Sequence, residues 1–324
     1  MKAITSSQTI HRAKRAARLP ALFLSGALAG CANIPPSVSD YGPVTSPLEL
    51  VNTPFYPQER FQCGPAALMT VLTASGVNTT LDAVSSKVYV PGREGSLQSE
   101  MLAAARAAER VPYVLVPELA SITAELATGR PVVVLQNLGV SWAPQWHYAV
   151  VVGVDIDRDE MILRSGTDER RVTRTPVFLR TWKRSDFWAV SVLRPGELPA
   201  NADRDRYVEA VAGLEQTGHA LAARDAWQAG LSRWPDDEVV LFGLANTEYA
   251  LGNYSNAEQN YREILRNDNS SLIAYNNLAM TLLALGRNEE ALDQIDVALT
   301  LAKGSPLLGE LQDTRNIIFG TSTE

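Results

Sequence analysis

Two residues of this sequence, Cys63 and His147, have the types and surroundings that nucleophilic catalysis needs. Cys63 lies in the segment "QCGPAALMTVL", where Gly-Pro and a run of good helix formers follow the sulfur directly. The sequence therefore predicts a helix that begins at or just after Cys63. The unsatisfied amides at a helix N-terminus favour a negative charge on a thiol placed there. Such a thiol is suited to attack a carbonyl carbon, provided that a base is within reach.

His147 is the base that its own half of the chain offers. The other two histidines are His11, near the N-terminus, and His219, at a loop position that predicts a solvated side chain. His147 opens the predicted strand "HYAVVVGVD" and follows Trp142 and Trp146, which we expect to supply a substrate wall. A strand end that faces a helix N-terminus can hold a Cys-His pair at hydrogen-bond distance. A buried, inert cysteine and a structural histidine are the alternatives.

The first 31 residues predict export and lipidation. Residues 1–18 are basic with no acidic residue, and the uncharged stretch "LPALFLSGALAG" follows, which is typical of a secretion signal at residues 1–30. The ending "LAGC" resembles the lipobox of bacterial lipoproteins, which implies that Cys31 is acylated and anchors the chain in a membrane. Ala32, in place of Asp, favours the periplasmic face of the outer membrane by the usual sorting pattern of that class. Cys63 is then a lone thiol, which excludes an internal disulfide.

Charge excludes one class of partner. Removal of the signal takes away five of the 29 basic residues and none of the 36 acidic ones, which leaves a net charge of about −12. Nucleic acid is therefore an unsuitable partner, because binding it requires clustered cations. Residues 31–52, rich in Pro, Ser and Asn without a sustained period, predict a flexible tether from Cys31.

Residues 53–195 predict an α+β domain. Helical patterns come first, in "GPAALMTVLTASG", "SLQSEMLAAARAAER" and "SITAELATG", and β-rich runs follow, in "PVVVLQNL", "HYAVVVGVD", "EMILRS" and "FWAVSVLR". Helices followed by an antiparallel sheet favour an α+β fold. Asp155, Asp157 and Asp159 alternate as in a calcium loop but lack its Gly and terminal Glu, so they predict a polar hairpin. We expect no metal and no cofactor.

Residues 204–305 repeat with a period of 34, after a predicted domain boundary at residues 194–205. Four alignment columns share this period: Gly218, Gly252 and Gly286; Ala223, Ala257 and Ala291; Tyr207, Leu241 and Tyr275; and Trp227, Tyr261 and Ile295. The pattern resembles the tetratricopeptide repeat, which implies an all-α solenoid of three units that binds a protein partner. Residues 306–324 predict a capping helix and tail.

The first domain resembles the bacteriocin-processing, double-glycine type of papain-like cysteine peptidases over residues 53–195. That resemblance rests on a Gln a few residues before "CG", a helix after the Cys, and a later "HY" that opens a strand. It implies a papain-like fold in which Cys63 is the nucleophile, His147 the base and Gln58 an oxyanion-hole donor. The leader-peptide substrate of transporter-fused members is not carried over, because this chain has no P-loop or nucleotide-binding domain.

One position departs from that family. Its members place an Asp or Asn after the next strand, whereas this chain has "LRSGTDER", which puts Ser165 at the orienting position and Asp168 three residues later. Ser165 lacks the charge that stabilises an imidazolium. Three alternatives follow: Ser165 is a weak third member, Asp168 reaches back, or activity is reduced.

The sequence thus predicts an anchored periplasmic cysteine peptidase that cleaves a peptide or protein substrate, with repeats that recruit a partner or the substrate. A catalytically weak papain-like scaffold that acts as a protein-binding lipoprotein is one alternative. Another keeps the thiol chemistry and changes the reaction to acyl transfer or to hydrolysis of a non-peptide amide.

Overall fold

A computed structural model describes residues 41–58 and 62–321 of the protein. The predicted signal peptide at residues 1–30, the lipidation of Cys31 and the first part of the tether lie outside these residues. Within the described ranges, no helix combines the length and the apolar character that crossing a bilayer requires.

The first half of the described chain contains seven strands and five helices. The strands are β1 (Leu48–Glu49), β2 (Val111–Val114), β3 (Val132–Asn137), β4 (Trp146–Asp155), β5 (Glu160–Ser165), β6 (Asp168–Arg174) and β7 (Ala189–Leu193). The helices are α1 (Cys63–Ala74), α2 (Leu81–Val88), α3 (Gln98–Ala107), α4 (Leu119–Ala127) and α5 (Thr175–Lys183). The predicted helices and the four predicted β-runs are present, so the α+β prediction is confirmed.

The strands form one antiparallel sheet in the order β2-β7-β3-β4-β5-β6, with β1 paired to β4. Central strands β3, β4 and β7 are almost wholly buried, because helices cover both faces of the sheet. On β4, Tyr148, Val150 and Val152 contact the cluster that contains α1 and α3, whereas Ala149 and Val151 contact the cluster under α4 and α5. This alternation follows from the two-residue period of a strand.

The flexible tether predicted for residues 31–52 is wrong for residues 41–52. Tyr41 donates a hydrogen bond to Asp159 at 2.5 Å, Val44 is buried in the core, and β1 pairs with β4. The buried guanidinium of Arg164 also donates to the carbonyls of Val51 and Thr53. The composition of this segment is that of a linker, but its order comes from partners more than a hundred residues away.

The second half contains three helix pairs and a final helix. The pairs are α6 (Arg204–Glu215) with α7 (Ala220–Arg233), α8 (Glu238–Ala250) with α9 (Tyr254–Asn267), and α10 (Leu272–Ala284) with α11 (Asn288–Leu301), and α12 (Leu308–Thr321) covers the last pair. Ala223, Ala257 and Ala291 are fully buried where the helices of each pair cross. These pairs confirm the all-α solenoid and the period read from the sequence.

The predicted boundary at residues 194–205 does not separate two cores. Tyr207, Val211 and Leu214 of α6 belong to the same buried cluster as Val111 and Tyr113 of β2. Polar bonds cross the same junction, since Asp203 N–H donates to the Tyr113 hydroxyl at 3.0 Å and Arg206 donates to the carbonyl of Leu115. The first repeat is therefore packed directly on the edge of the sheet, and His219, predicted to be solvated, lies 3.6 Å from Glu109 of the α+β domain.

Candidate active site

A cleft of about 840 Å³ opens where the N-terminus of α1 meets the ends of β3 and β4. Four of the residues that the sequence singled out line it: Gln58, Cys63, Trp146 and His147. The opposite wall is the segment from Arg93 to Gln98, between α2 and α3. The fold therefore brings together residues that lie more than eighty positions apart in the chain.

Cys63 is the first residue of α1 and is half-buried. No side chain caps this helix, although Gln62 occupies the N-cap position, and its first turn has no acidic residue. Pro65 lies at the start of the helix, where its missing N–H costs no hydrogen bond. The uncapped amides at this end favour negative charge on the neighbouring sulfur and on any oxyanion formed beside it.

The opposite wall of the cleft packs against α1 at Gly64. A β-carbon on Gly64 would lie 2.3 Å from the Ser96 Oγ and 2.5 Å from the Ser96 Cβ, so only glycine fits beside the wall. Ser96 Oγ is buried and has no hydrogen-bond partner among the described residues. Gly64 thus lets the wall approach the residue that follows the sulfur, which narrows the cleft at Cys63.

His147 is held by a serine. It is the second residue of β4, in register with Gln136 of β3, and its Nε2 lies 2.8 Å from Ser165 Oγ at the end of β5. The ring nitrogen left for another partner is Nδ1. A hydroxyl can donate or accept, so this bond permits either tautomer of the imidazole, whereas a carboxylate would require a proton on Nε2.

The imidazole is neutral at neutral pH. Burial, followed by the cation of Arg171, lowers the pKa of His147 to about 4. No hydrogen bond joins the Cys63 sulfur to this ring in the described part of the chain. The arrangement therefore favours a neutral base that accepts the thiol proton during attack over a resting thiolate-imidazolium pair.

Asp168 does not replace Ser165 at the imidazole. It is the first residue of β6, where it pairs with Ser165 across the hairpin, and its carboxylate lies 3.7 Å from the Arg171 guanidinium. More than half of the Asp168 side chain is exposed. Of the alternatives left by the sequence, the hydrogen bond to His147 belongs to Ser165.

Gln58 lines the cleft from the segment that precedes α1. Its backbone N–H donates to the carbonyl of Gly166 at 3.1 Å, and its side chain is half-buried. Gln58 lines the same cleft as Cys63, which is where an oxyanion-hole donor is needed.

Tyr148 contributes a polar group that sequence reasoning missed. Its ring lies edge-on to Trp188 with centroids 5.8 Å apart, and its hydroxyl donates to the Ser96 carbonyl at 3.4 Å. Burial, and next the neighbouring Cys63 sulfur, raise the pKa of this hydroxyl. Tyr148 therefore remains a protonated donor on the cleft lining, and the available signal was its place beside His147 in the pair "HY".

The two tryptophans predicted for a substrate wall have different places. Trp146 lines the cleft with 54% of its surface exposed, whereas Trp142, at 86% exposure, lies at the tip of the β3–β4 loop outside the lining. Asn137 Oδ1 fixes that loop by accepting the amides of Gly139 and Gln145. Of these two tryptophans, Trp146 is the one placed to contact a molecule bound at Cys63.

The acidic hairpin between β4 and β5 has the structure expected of a polar turn. Asp155 Oδ1 accepts the amides of Asp157 and Arg158, both at 3.1 Å, and Asp159 accepts the hydroxyl of Tyr41. In the part of the chain that the structure describes, no cluster of three His, Cys, Asp or Glu residues could hold a metal ion.

Two family models match segments of this chain. Residues 50–187 match the model of the Peptidase_C39 like family, and residues 213–271 and 242–306 match that of the tetratricopeptide repeat. None of the curated proteins matches the sequence.

Solved structures similar to about a third of this chain include tetratricopeptide-repeat domains. A TPR2B-domain complex of yeast Sti1 is 16% identical, covers 36% of this chain and 97% of its own length, and has a TM-score of 0.35. The type III secretion translocator chaperone SycD of Yersinia enterocolitica is 20% identical over 37% of this chain and 86% of its own, with a TM-score of 0.35. The first repeat domain of Spaghetti, bound to an HSP90 peptide, is 19% identical over 37% and 94%, with a TM-score of 0.34.

Proposed function

The chain joins a domain of the Peptidase_C39 like family to tetratricopeptide repeats, and on that basis we propose that it is a cysteine peptidase with Cys63 as its nucleophile. The observation that carries this proposal is the convergence of Cys63, His147 and Gln58 on one cleft. The substrate class is a peptide or protein, bound between the segment around Ser96 and the exposed face of Trp146.

Acylation begins when the neutral imidazole accepts the Cys63 proton as the sulfur attacks the scissile carbonyl carbon. Nδ1 is the accepting nitrogen, because Nε2 is bonded to Ser165. The carbonyl oxygen becomes an oxyanion beside the uncapped amides of α1 and the side chain of Gln58. Two such donors, oriented before the reaction, stabilise the charge as it develops.

Breakdown of the tetrahedral intermediate releases the first product. The carbon-nitrogen bond breaks as the imidazolium returns its proton to the leaving amine, which leaves a thioester on Cys63. Water, deprotonated by the same imidazole, then attacks the thioester and frees the acid product and the thiol. Ser165 keeps the ring oriented throughout but adds no negative charge to stabilise the imidazolium.

A comparison of proteins from cells with the native chain and with Cys63→Ala tests the proposal. New protein N-termini that occur only with the native chain are expected, and they would identify the substrate. A matched control is Ser141→Ala, an exposed position on the β3–β4 loop outside the cleft lining. If the native chain and Cys63→Ala yield the same N-termini, the peptidase proposal is wrong.

One observation favours a second function, a binding scaffold of low catalytic power. Ser165 stands where the resembled family has an Asp or Asn, and the pKa of His147 lies near 4, so the imidazolium that catalysis passes through is poorly stabilised. A scaffold would bind the peptide in the cleft without cleaving it. Binding retained in Cys63→Ala, together with an absence of new N-termini in native cells, would support this alternative.

The repeats support binding of a protein partner or of the substrate itself. Val239 of α8 and Ile273 of α10 occupy equivalent positions 34 residues apart, and both are exposed apolar side chains. We expect Val239→Asp with Ile273→Asp to reduce capture of the partner, whereas Leu221→Asp on α7, another exposed apolar position, should leave it unchanged. If the native chain, the double variant and Leu221→Asp capture the partner equally well, the surface at Val239 and Ile273 does not bind it.

Membrane attachment and location belong to the same proposal. Support comes from the sequence alone, through the signal at residues 1–30 and Cys31 at its end. We propose that the lipidated chain faces the periplasm, in the outer membrane. Cys31→Ser should lose incorporation of labelled fatty acid and move to the soluble fraction, while Cys63→Ser should keep both properties.

A further inference from the structure

The turn between β5 and β6 contacts the site at two consecutive residues. Ser165 bonds the imidazole of His147 at 2.8 Å, and the carbonyl of Gly166 accepts the backbone N–H of Gln58 at 3.1 Å. One short turn thus holds both the orienting group of the base and the segment that carries the oxyanion-hole candidate. Ser165 pairs with Asp168, so only two residues lie between the strands.

Gly166 has the backbone conformation on which this geometry depends. Its φ is 65°, in the left-handed region, where an L-residue with a β-carbon is disfavoured by roughly tenfold in population. A β-carbon there would meet no atom within 4 Å, so alanine would test the backbone conformation without introducing a clash. Asparagine accepts this conformation more readily than other non-glycine residues.

Arg164 also binds the β5–β6 hairpin to the segment that precedes α1. Arg164, one residue before Ser165, donates to the carbonyl of Glu169 on β6 and to the carbonyl of Thr53. The guanidinium therefore ties both strands of the hairpin to the segment that leads to Gln58. Among the described residues, the bond from the Gln58 N–H to the Gly166 carbonyl continues this attachment up to the cleft.

We propose that Gly166 is a positioning residue that sets Gln58 and Ser165 together, so that the oxyanion donor and the base move as one unit. This inference rests on the proposed peptidase function for its kinetic consequence, but the coupling of the two side chains can be measured without turnover. Gly166 itself is not among the residues that line the cleft.

The test compares Gly166→Ala, Gly166→Asn and Gly129→Ala in the full chain. Gly129 is the matched control because it is also left-handed, with φ of 84° and no atom within 4 Å of a β-carbon, and it does not line the cleft. With a peptide identified from the N-terminus comparison, Gly166→Ala should lower kcat/KM about tenfold or more, and Gly166→Asn should restore it to within about threefold. Gly129→Ala should keep the native value.

Two further measurements separate positioning from a purely structural role. In a Gln58→Ala background, Gly166→Ala should cost less than it does in the native chain, because part of its effect passes through Gln58. The rate at which iodoacetamide alkylates Cys63, followed against pH, should change in Gly166→Ala and remain native in Gly129→Ala.

The outcomes distinguish the two proposals. If the native chain cleaves nothing but the alkylation profile still changes in Gly166→Ala alone, the peptidase function fails and the coupling stands. If Gly166→Ala keeps the native kcat/KM and alkylation profile, or acts additively with Gln58→Ala, the coupling is wrong. If Gly166→Ala does not fold, Gly166→Asn replaces it in this test. Effects of Gly166→Asn and Gln58→Ala on kcat/KM that simply add would then show that the coupling is wrong.

Discussion

The Ser165 hydroxyl lies 2.8 Å from Nε2 of His147, at the position where the family resemblance led us to expect an acidic or amide side chain. The bond orients the ring as a carboxylate would, but it carries no charge and fixes neither tautomer. Together with burial and Arg171, which lower the pKa of His147 to about 4, this makes the base neutral over the physiological range.

Replacing the hydroxyl with a carboxylate should change the pH dependence of activity. In Ser165→Asp the new charge favours the imidazolium, so the pKa of His147 rises. The neutral imidazole is the active base, and activity is lost as pH falls through its pKa. The acid limb of kcat/KM should therefore lie near pH 4 in the native protein and at a higher pH in Ser165→Asp.

The matched control is Ser141→Asp, which adds the same charge on an exposed loop. The acid limb of Ser141→Asp should remain native. Ser165→Ala should lower kcat/KM by roughly tenfold, because the imidazole of His147 loses the bond that orients it. An unchanged acid limb in Ser165→Asp would show that Ser165 does not act on the base.

Removal of Arg171 should shift the acid limb of kcat/KM by a smaller amount than Ser165→Asp does. Arg171 lowers the pKa of His147 through its charge, and the same guanidinium lies 3.7 Å from the Asp168 carboxylate. Because the guanidinium is half exposed, we expect Arg171→Ala to move the acid limb to higher pH at low salt, and by less at 1 M salt. Arg174→Ala, at the far end of β6, should have no effect. A shift of equal size in both variants would indicate a general charge effect and not a specific contact.

A β-carbon on Gly64 should disable the site, and removal of the opposing side chain should restore it. Gly64→Ala places Cβ 2.3 Å from the Ser96 Oγ, so the wall segment or the start of α1 must move. We expect kcat/KM to fall by about 100-fold, since a displacement of about 1 Å in a catalytic group has that effect. In Gly64→Ala with Ser96→Gly the obstructing atoms are gone, and most of the activity should return. Failure of this rescue would show that Ser96 is not the constraint on Gly64.

The α+β domain should depend on the first repeat for its stability. Leu214 of α6 is fully buried in the cluster that contains β2, whereas Leu278 of α10 is fully buried among the distal repeats. Either substitution to alanine should cost about 2–5 kcal/mol in the free energy of unfolding of its own core. Hydrogen exchange of Val111–Val114 should accelerate in Leu214→Ala and remain native in Leu278→Ala. Equal protection of β2 in both variants would mean that the two halves are stabilised independently.

Local patterns were sufficient for much of the fold. The Gly-Pro after Cys63 predicts the start of α1, the apolar runs predict β3, β4, β5 and β7, and the 34-residue period predicts the three helix pairs. These features are encoded within short windows. That Cys63 and His147 line one cleft was also predictable, because few residues of suitable chemistry were available.

Features that depend on distant partners were missed. Strand β6 has charged, exposed residues without an apolar alternation, and β2 contains Pro112 at the edge of the sheet, so neither has a strong local signal. The order of residues 41–52 depends on Tyr41 and on Arg164, whose partners are set by the tertiary fold. The fit of Ser96 against Gly64 and the tie from Gly166 to Gln58 are likewise invisible to sequence spacing.

The role of His147 as the base for Cys63 can be measured through the alkylation rate of Cys63 by iodoacetamide, followed by mass spectrometry at pH 7. We expect Cys63 to be modified in the native protein and His147→Gln to slow this modification by about tenfold or more, while His219→Gln leaves it native. A Cys63 that is inert in the native protein, or that reacts equally fast with and without His147, would show that His147 is not its base.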